Sequence, residues 1–183
     1  MKKHIIIAGC PATGKKSIAA NLSAILKLPY IEYGSFLMSA NAAEIIDNDI
    51  LINEDRAREA LNGLSDKHII AGMYVLRLID PKDVLSAIVI RCNPFVLLYR
   101  YLLRNYSLKK IRENLTAEFI DSCLAEAIEL LGEENVMQID ATYETPESAA
   151  IRIGNALKRG SLLFDKVDWL SYITDPKQLK ILG

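Results

Sequence analysis

The chain has 183 residues, 51 % of them hydrophobic and 25 % charged, with nine Gly and six Pro. This length and mix suit one compact domain and exclude a disordered chain, a collagen-like repeat and a low-complexity linker. Twenty-two basic against 23 acidic side chains leave a net charge of −1, so no global field draws the chain to nucleic acid or anionic lipid.

Strand-length apolar runs alternate with helical periods, the pattern of an α/β fold with a mainly parallel sheet. His4 to Ala8 is a continuous apolar run, as in a strand covered on both faces. It breaks at Gly9-Cys10-Pro11-Ala12-Thr13-Gly14, and a helix is predicted from Lys15, with Ile18, Leu22, Ile25 and Leu26 on one face. A short strand fits Tyr30 to Tyr33, and helices fit Phe36 to Ile46 and Glu54 to Leu61. Strands are predicted at His68 to Ala71 and Ala87 to Arg91. Pro94 opens a helix to about Arg104, and one long helix is predicted from Ser107 to Leu131, stopped by Gly132. A fifth strand fits Val136 to Ile139, and Pro146 opens a helix ending near Gly160. The remainder holds Trp169, the single tryptophan, which is expected to pin it onto the core.

Cys10, Cys92 and Cys123 are widely spaced and form no C-x-x-C pair, which points to reduced thiols. The apolar run after Lys3 is too short for a signal peptide, and no run approaches the ~18 apolar residues of a membrane span. A soluble, cytoplasmic protein is expected.

Gly9-Cys10-Pro11-Ala12-Thr13-Gly14-Lys15-Lys16-Ser17 lies between the first strand and the first helix. A triphosphate needs converging amide donors free of side-chain bulk, and glycines at both ends permit that wrapping. The helix N-terminus adds free amides and partial positive charge, and Lys15 can reach the β- and γ-phosphates. The strict G-x-x-x-x-G-K-[ST] spacing fails at one place: Lys16 stands where the hydroxyl belongs, and Ser17 follows. An ammonium at position 16 cannot ligate Mg²⁺; it favours anions and disturbs metal placement, leaving Ser17 as the metal-binding hydroxyl.

Residues 99–113 carry five basic side chains against one acid. A short lid there would bring Arg104, with Arg100, over a transferring phosphoryl group. Five charges are too few to imply nucleic-acid binding.

Arg91-Cys92-Asn93-Pro94, Tyr99, Arg104-Asn105-Tyr106, Lys110 to Asn114 and Ala117-Glu118 resemble the adenylate-kinase-related family of archaea and eukaryotes, which includes the coilin-interacting nuclear ATPase. Pro11 in the loop, Glu54-Asp55-Arg56, Asp140 and Thr145-Pro146-Glu147 agree with it. The resemblance implies a P-loop nucleoside-monophosphate-kinase fold with a five-stranded parallel sheet ordered 2-3-1-4-5 and helices on both faces. It also implies an acceptor region at about 34–64 and a lid at about 103–113; residues from about 161 to 183, beyond the resemblance, are expected to form an appended turn or helix. By this resemblance Gly9, Pro11, Ala12, Thr13, Gly14, Lys15, Lys16, Ser17 and Arg104 hold the nucleotide, with Lys15 and Arg104 catalytic. Gly34, Ser35, Arg56 and Gly72 fall in the acceptor region.

The implied activity is phosphoryl transfer from ATP, with Mg²⁺, to a nucleoside monophosphate, together with ATP hydrolysis. The alternative is a nucleotide-binding assembly factor for small-ribosomal-subunit maturation, with a small-subunit ribosomal protein as partner. The chain departs from the family at four points. Ala12 replaces a second glycine, and Lys16 replaces Ser/Thr. The third strand ends Ile69-Ile70-Ala71-Gly72 with no acid, and a Gly-Asp-x-x-Arg run reads Gly34-Ser35-Phe36-Leu37-Met38. Asp80, Asp83, Glu32 and Glu54 are the carboxylates that could replace the missing acid in space.

Overall fold

Ile5, Ile6 and Ile7 are all buried, Ile5 and Ile7 in one apolar cluster and Ile6 in another, so their strand is covered on both faces. The computed structural model describes residues 3–46 and 49–172. In chain order the elements are β1 (His4–Ala8), α1 (Lys15–Leu26), β2 (Tyr30–Glu32), α2 (Tyr33–Ser39), β3 (Ala43–Ile46), β4 (Asp49–Ile52), α3 (Glu54–Asn62), β5 (Ile69–Ala71) and α4 (Val75–Leu78). They continue with β6 (Val84–Arg91), α5 (Pro94–Leu103), α6 (Leu108–Phe119), α7 (Ser122–Leu131), β7 (Val136–Asp140) and α8 (Pro146–Arg159).

The main sheet runs β2-β5-β1-β6-β7, all parallel. Leaving out the small hairpin, this is the expected order 2-3-1-4-5. Helices α1 and α8 cover one face, and residues of α2, α3, α4 and α7 pack on the other. In such sheets ligands settle beyond the carboxyl ends of the strands, where the glycine loop after β1 lies. His4 and His68 sit at the other edge: the His68 amide donates to His4 Nδ1 at 3.3 Å.

Two sequence expectations are corrected. The helix expected over Phe36 to Ile46 ends at Ser39, and Ala43–Ile46 pairs antiparallel with Asp49–Ile52. Two branched apolar runs, Ile45-Ile46 and Ile50-Leu51-Ile52, separated in sequence by Asp47-Asn48-Asp49, favour a hairpin over a helix. The long helix expected from Ser107 to Leu131 breaks at Ile120-Asp121, where Asp121 takes φ 57°. Asp121 tolerates that left-handed geometry and accepts a bond from Arg91 Nη2 there, while Ile120, expected on the apolar face, is exposed.

Beyond α8 the chain runs along the edge of β7. The Gln138 amide donates to Leu163 O and the Asp165 amide to Gln138 O, both at 3.0 Å. Trp169 is buried against Leu97, Tyr101, Ile111 and Leu115, which is the pinning expected of it. Residues 173–183 of the expected extension lie outside the described residues. Among the described residues no helix is long and apolar enough to cross a membrane.

Candidate active site

The loop from Gly9 to Gly14 folds as its glycines allow. Gly9 has φ +139°, and a Cβ there would stand 2.4 Å from Ile90 O, so no other residue fits. Gly14 meets nothing within 4 Å, but its φ of +98° at the helix start favours glycine by dihedral alone. Ala12 sits at φ 62°, which explains why a glycine is expected at that position. Its strain there is about 1 kcal/mol.

Thr13 Oγ1 and Lys15 Nζ both donate to Cys10 O at 2.9 Å, drawing the loop around one carbonyl. Five helices, α2, α3, α5, α6 and α8, begin with a side-chain cap. Helix α1, like α4 and α7, has no such cap and no acidic residue in its first turn, so its amides and positive end, which follow the glycine loop, stay open to an anion.

Lys15 is 8 % exposed, and burial lowers its ammonium to about 8. The charges of Lys16 and Arg104 add to that lowering. Arg104 caps the end of α5 and is exposed, on the turn that leads to α6. Arg100, the second arginine expected in the lid, is otherwise engaged. Its Nη1 donates to Ala12 O at 2.8 Å, and Tyr101 OH donates to Pro11 O at 2.9 Å. Helix α5 therefore holds the outer carbonyls of the loop, a role that nothing in the local sequence signalled.

Beneath α5 lies a buried polar network that the sequence reading also missed. Arg91, at the end of β6, donates to Glu118 Oε1 at 2.7 Å, Glu118 O at 2.8 Å and Gln138 Oε1 at 2.9 Å, and also bonds Asp121. Glu118 Oε1 further accepts from Trp169 Nε1 at 3.0 Å and from the Cys92 amide at 3.2 Å. With Arg91 and Glu118 almost wholly buried, the network ties β6, α6 and the C-terminal segment into one frame.

The expected acceptor residues separate into two groups. Gly34, Ser35 and Gly72 gather around the start of α2: the Gly34 and Ser35 amides donate to Glu32 at 3.3 and 2.9 Å, and Ser35 Oγ does so at 2.5 Å. A Cβ on Gly72 would stand 2.7 Å from Tyr33 Cβ, so this glycine admits Tyr33. Arg56 instead reaches the far end of α2, donating to Asn41 O at 3.2 Å beside a hollow lined by Ala40, Glu59 and Ala60.

Of the four carboxylates considered for the missing acid, Glu32 is the one brought to the loop. Its register partner in β5 is Ala71, and Lys16 Nζ stands 3.0 Å from its Oε1. Burial alone would raise the Glu32 carboxyl, but bonds from Ser35 and Lys16 outweigh it and hold the group at about 2. Asp80 pairs with Lys82 and Asp83 with Lys3 before β6, while Glu54 pairs with Arg58 in α3.

A hard divalent cation wants oxygens in near-octahedral array. The side chains here do not fit it: an ammonium holds the hydroxyl position, Ala71 brings no oxygen, and Glu32 is engaged by Lys16, Gly34 and Ser35. Ser17, the hydroxyl expected to serve a metal, is exposed in the first turn of α1.

The family described as an AAA domain matches residues 5–121. A protein of Archaeoglobus fulgidus named "Putative adenylate kinase" is 34 % identical, over 93 % of this chain and 94 % of its own. One of Thermococcus kodakarensis with the same name is 31 % identical, over 85 % of this chain and 86 % of its own. Shikimate kinase from Acinetobacter baumannii superposes with a TM-score of 0.63 at 13 % identity, covering 87 % of this chain and 94 % of that one, a likeness of fold alone. The chain belongs to the adenylate-kinase-related P-loop family.

Proposed function

We propose that this protein is a nucleoside-monophosphate kinase of the adenylate-kinase type with ATPase activity, moving the γ-phosphoryl group of ATP to a nucleoside monophosphate. The observation that carries the reading is the loop itself: Lys15 lies buried on Cys10 O at the uncapped start of α1. In this reading the amides between Ala12 and Ser17 receive the phosphates of ATP. Lys15 leaves the Cys10 carbonyl for the β- and γ-oxygens, where anionic partners favour its charged form. Arg104 swings in from the α5–α6 turn to meet charge on the transferring group. The acceptor enters between the start of α2 and the hairpin β3–β4, beside Gly34, Ser35 and Gly72, with Arg56 at the far end of α2.

Mg²⁺, expected with ATP, would arrive with the nucleotide, and Ser17 is the hydroxyl of the first turn of α1 that it would find there. Turnover is slow in this account, because the acceptor phosphate lacks the arginine of the Gly-Asp-x-x-Arg pattern. A charge-assisted bond of that kind is worth about 1.5–3 kcal/mol, roughly 10- to 100-fold in affinity. Three buried, free cysteines suit the reducing cytoplasm.

The lack of an acid in Ile69-Ile70-Ala71, near whose end one is expected, favours the second reading. There the chain is a nucleotide-binding assembly factor for small-subunit maturation that engages a ribosomal protein and transfers no phosphoryl group. A coupled assay of ADP formation from ATP with AMP, CMP, UMP and GMP separates the two. The kinase reading expects at least one acceptor to raise ADP formation above both the acceptor-free rate and the Lys15→Ala variant. Rates equal to that variant for all four acceptors would leave the second reading.

A further inference from the structure

The pair Lys16–Glu32 lies where two family features are both replaced. Lys16 follows the loop lysine, where a hydroxyl would face a metal. Glu32 ends β2, one strand away from β5, which carries no acid at its end. Register partners in a parallel pair point to the same face of the sheet, and Ala71 packs with Ile18 and Ala19 of α1. The Glu32 carboxylate therefore rises over the first turn of α1, and Lys16 Nζ meets it at 3.0 Å. Its position is fixed from behind by the Gly34 amide, the Ser35 amide and Ser35 Oγ, so the anion that receives the ammonium is pre-positioned.

We propose that Lys16, oriented by Glu32, is a resident cation of the donor site, an ammonium in place of a protein-held divalent metal, so that a nucleoside triphosphate binds without needing Mg²⁺. The inference rests on the donor-site reading above. An ammonium has three N–H donors. One remains on Glu32 while another takes a phosphate oxygen, so the ammonium bridges the acceptor segment and the nucleotide. Lys16 is exposed enough to reach an incoming ligand, its side chain being 64 % accessible. Glu32 is a positioning residue in this scheme, and it ties the first turn of α1 to the start of α2.

The test is calorimetric titration of the full chain with ATP, in excess EDTA and in millimolar Mg²⁺, for the wild type, Lys16→Ser and Glu32→Gln. The wild type is expected to bind ATP with affinities that differ by less than about threefold between the two conditions. Lys16→Ser should bind roughly 10- to 100-fold more weakly in EDTA, the range for loss of a charged hydrogen bond, and regain affinity with Mg²⁺. Glu32→Gln should weaken metal-free binding by less than Lys16→Ser does, because the ammonium remains but loses the carboxylate that orients it; metal-free binding equal to the wild type would overturn the role of Glu32. Wild-type binding that appears only with Mg²⁺ overturns the proposal and leaves the donor site intact. A Lys16→Ser variant that binds ATP in EDTA as the wild type does also overturns it, reducing the pair to a surface salt bridge. ATP binding in neither condition would instead sink the donor-site reading. The wild-type titrations need no variant to fold.

Discussion

The phosphate loop and the β3–β4 hairpin face the same end of the sheet, and they are built in opposite ways. The loop is gripped by Arg100 and Tyr101 of α5, which stands on the buried Arg91–Glu118 network. The hairpin leaves Ile45 64 % and Leu51 57 % exposed, with Ile46 and Ile50 also turned outward. The hairpin's inner end is anchored, since Ala43 and Ile52 pack against the core. The difference separates rigidity from reach. A loop that presents amides to phosphate needs fixed geometry, whereas an acceptor region gains from being loosely attached.

Breaking the grip has the largest expected effect. Glu118→Ala strips Arg91, the Cys92 amide and Trp169 of a common acceptor and leaves a buried guanidinium short of a counter-charge. Unpairing a buried charge costs about 3–5 kcal/mol; with Asp121 still on Arg91 Nη2, urea denaturation should show a loss at the lower end, about 3 kcal/mol. A loss under about 1 kcal/mol would mean that the network does not support the loop. At the other pole, Ile45→Ser on the exposed hairpin should change stability by less than about 0.5 kcal/mol in the same measurement. A larger loss would show that this face is packed, and the contrast between the regions would fail.

The fold was legible because its strands are simple. His4 to Ala8 and Ala87 to Arg91 have no polar alternation, which in an α/β chain means burial on both faces. The loop was legible because glycine spacing, the lysine and the following helix are all local. What stayed hidden was non-local. Arg91 and Glu118 are 27 residues apart and meet only because α6 ends where Asp121 turns left-handed. The apolar spacing continues through Ile120, so periodicity alone carried the helix too far. Glu32 was one of four equal carboxylates until the β2–β5 register put it beside Ala71.

Nucleotide binding depends on Lys15 holding a phosphate. Its ammonium is lowered to about 8 in the free protein, chiefly by burial, so it is charged below that pH and neutral above it. A bound anion raises that value. ATP binding should therefore take up a proton near pH 8 and weaken as the pH rises beyond it, by roughly tenfold at about pH 9.5. The deciding measurement is ATP calorimetry on the wild type and Lys15→Ala at about pH 7 and about pH 9.5. The account predicts binding that is roughly 10- to 100-fold weaker for Lys15→Ala at the lower pH, with the difference narrowing at the higher one. Equal affinities for the two proteins at both pH values would contradict it.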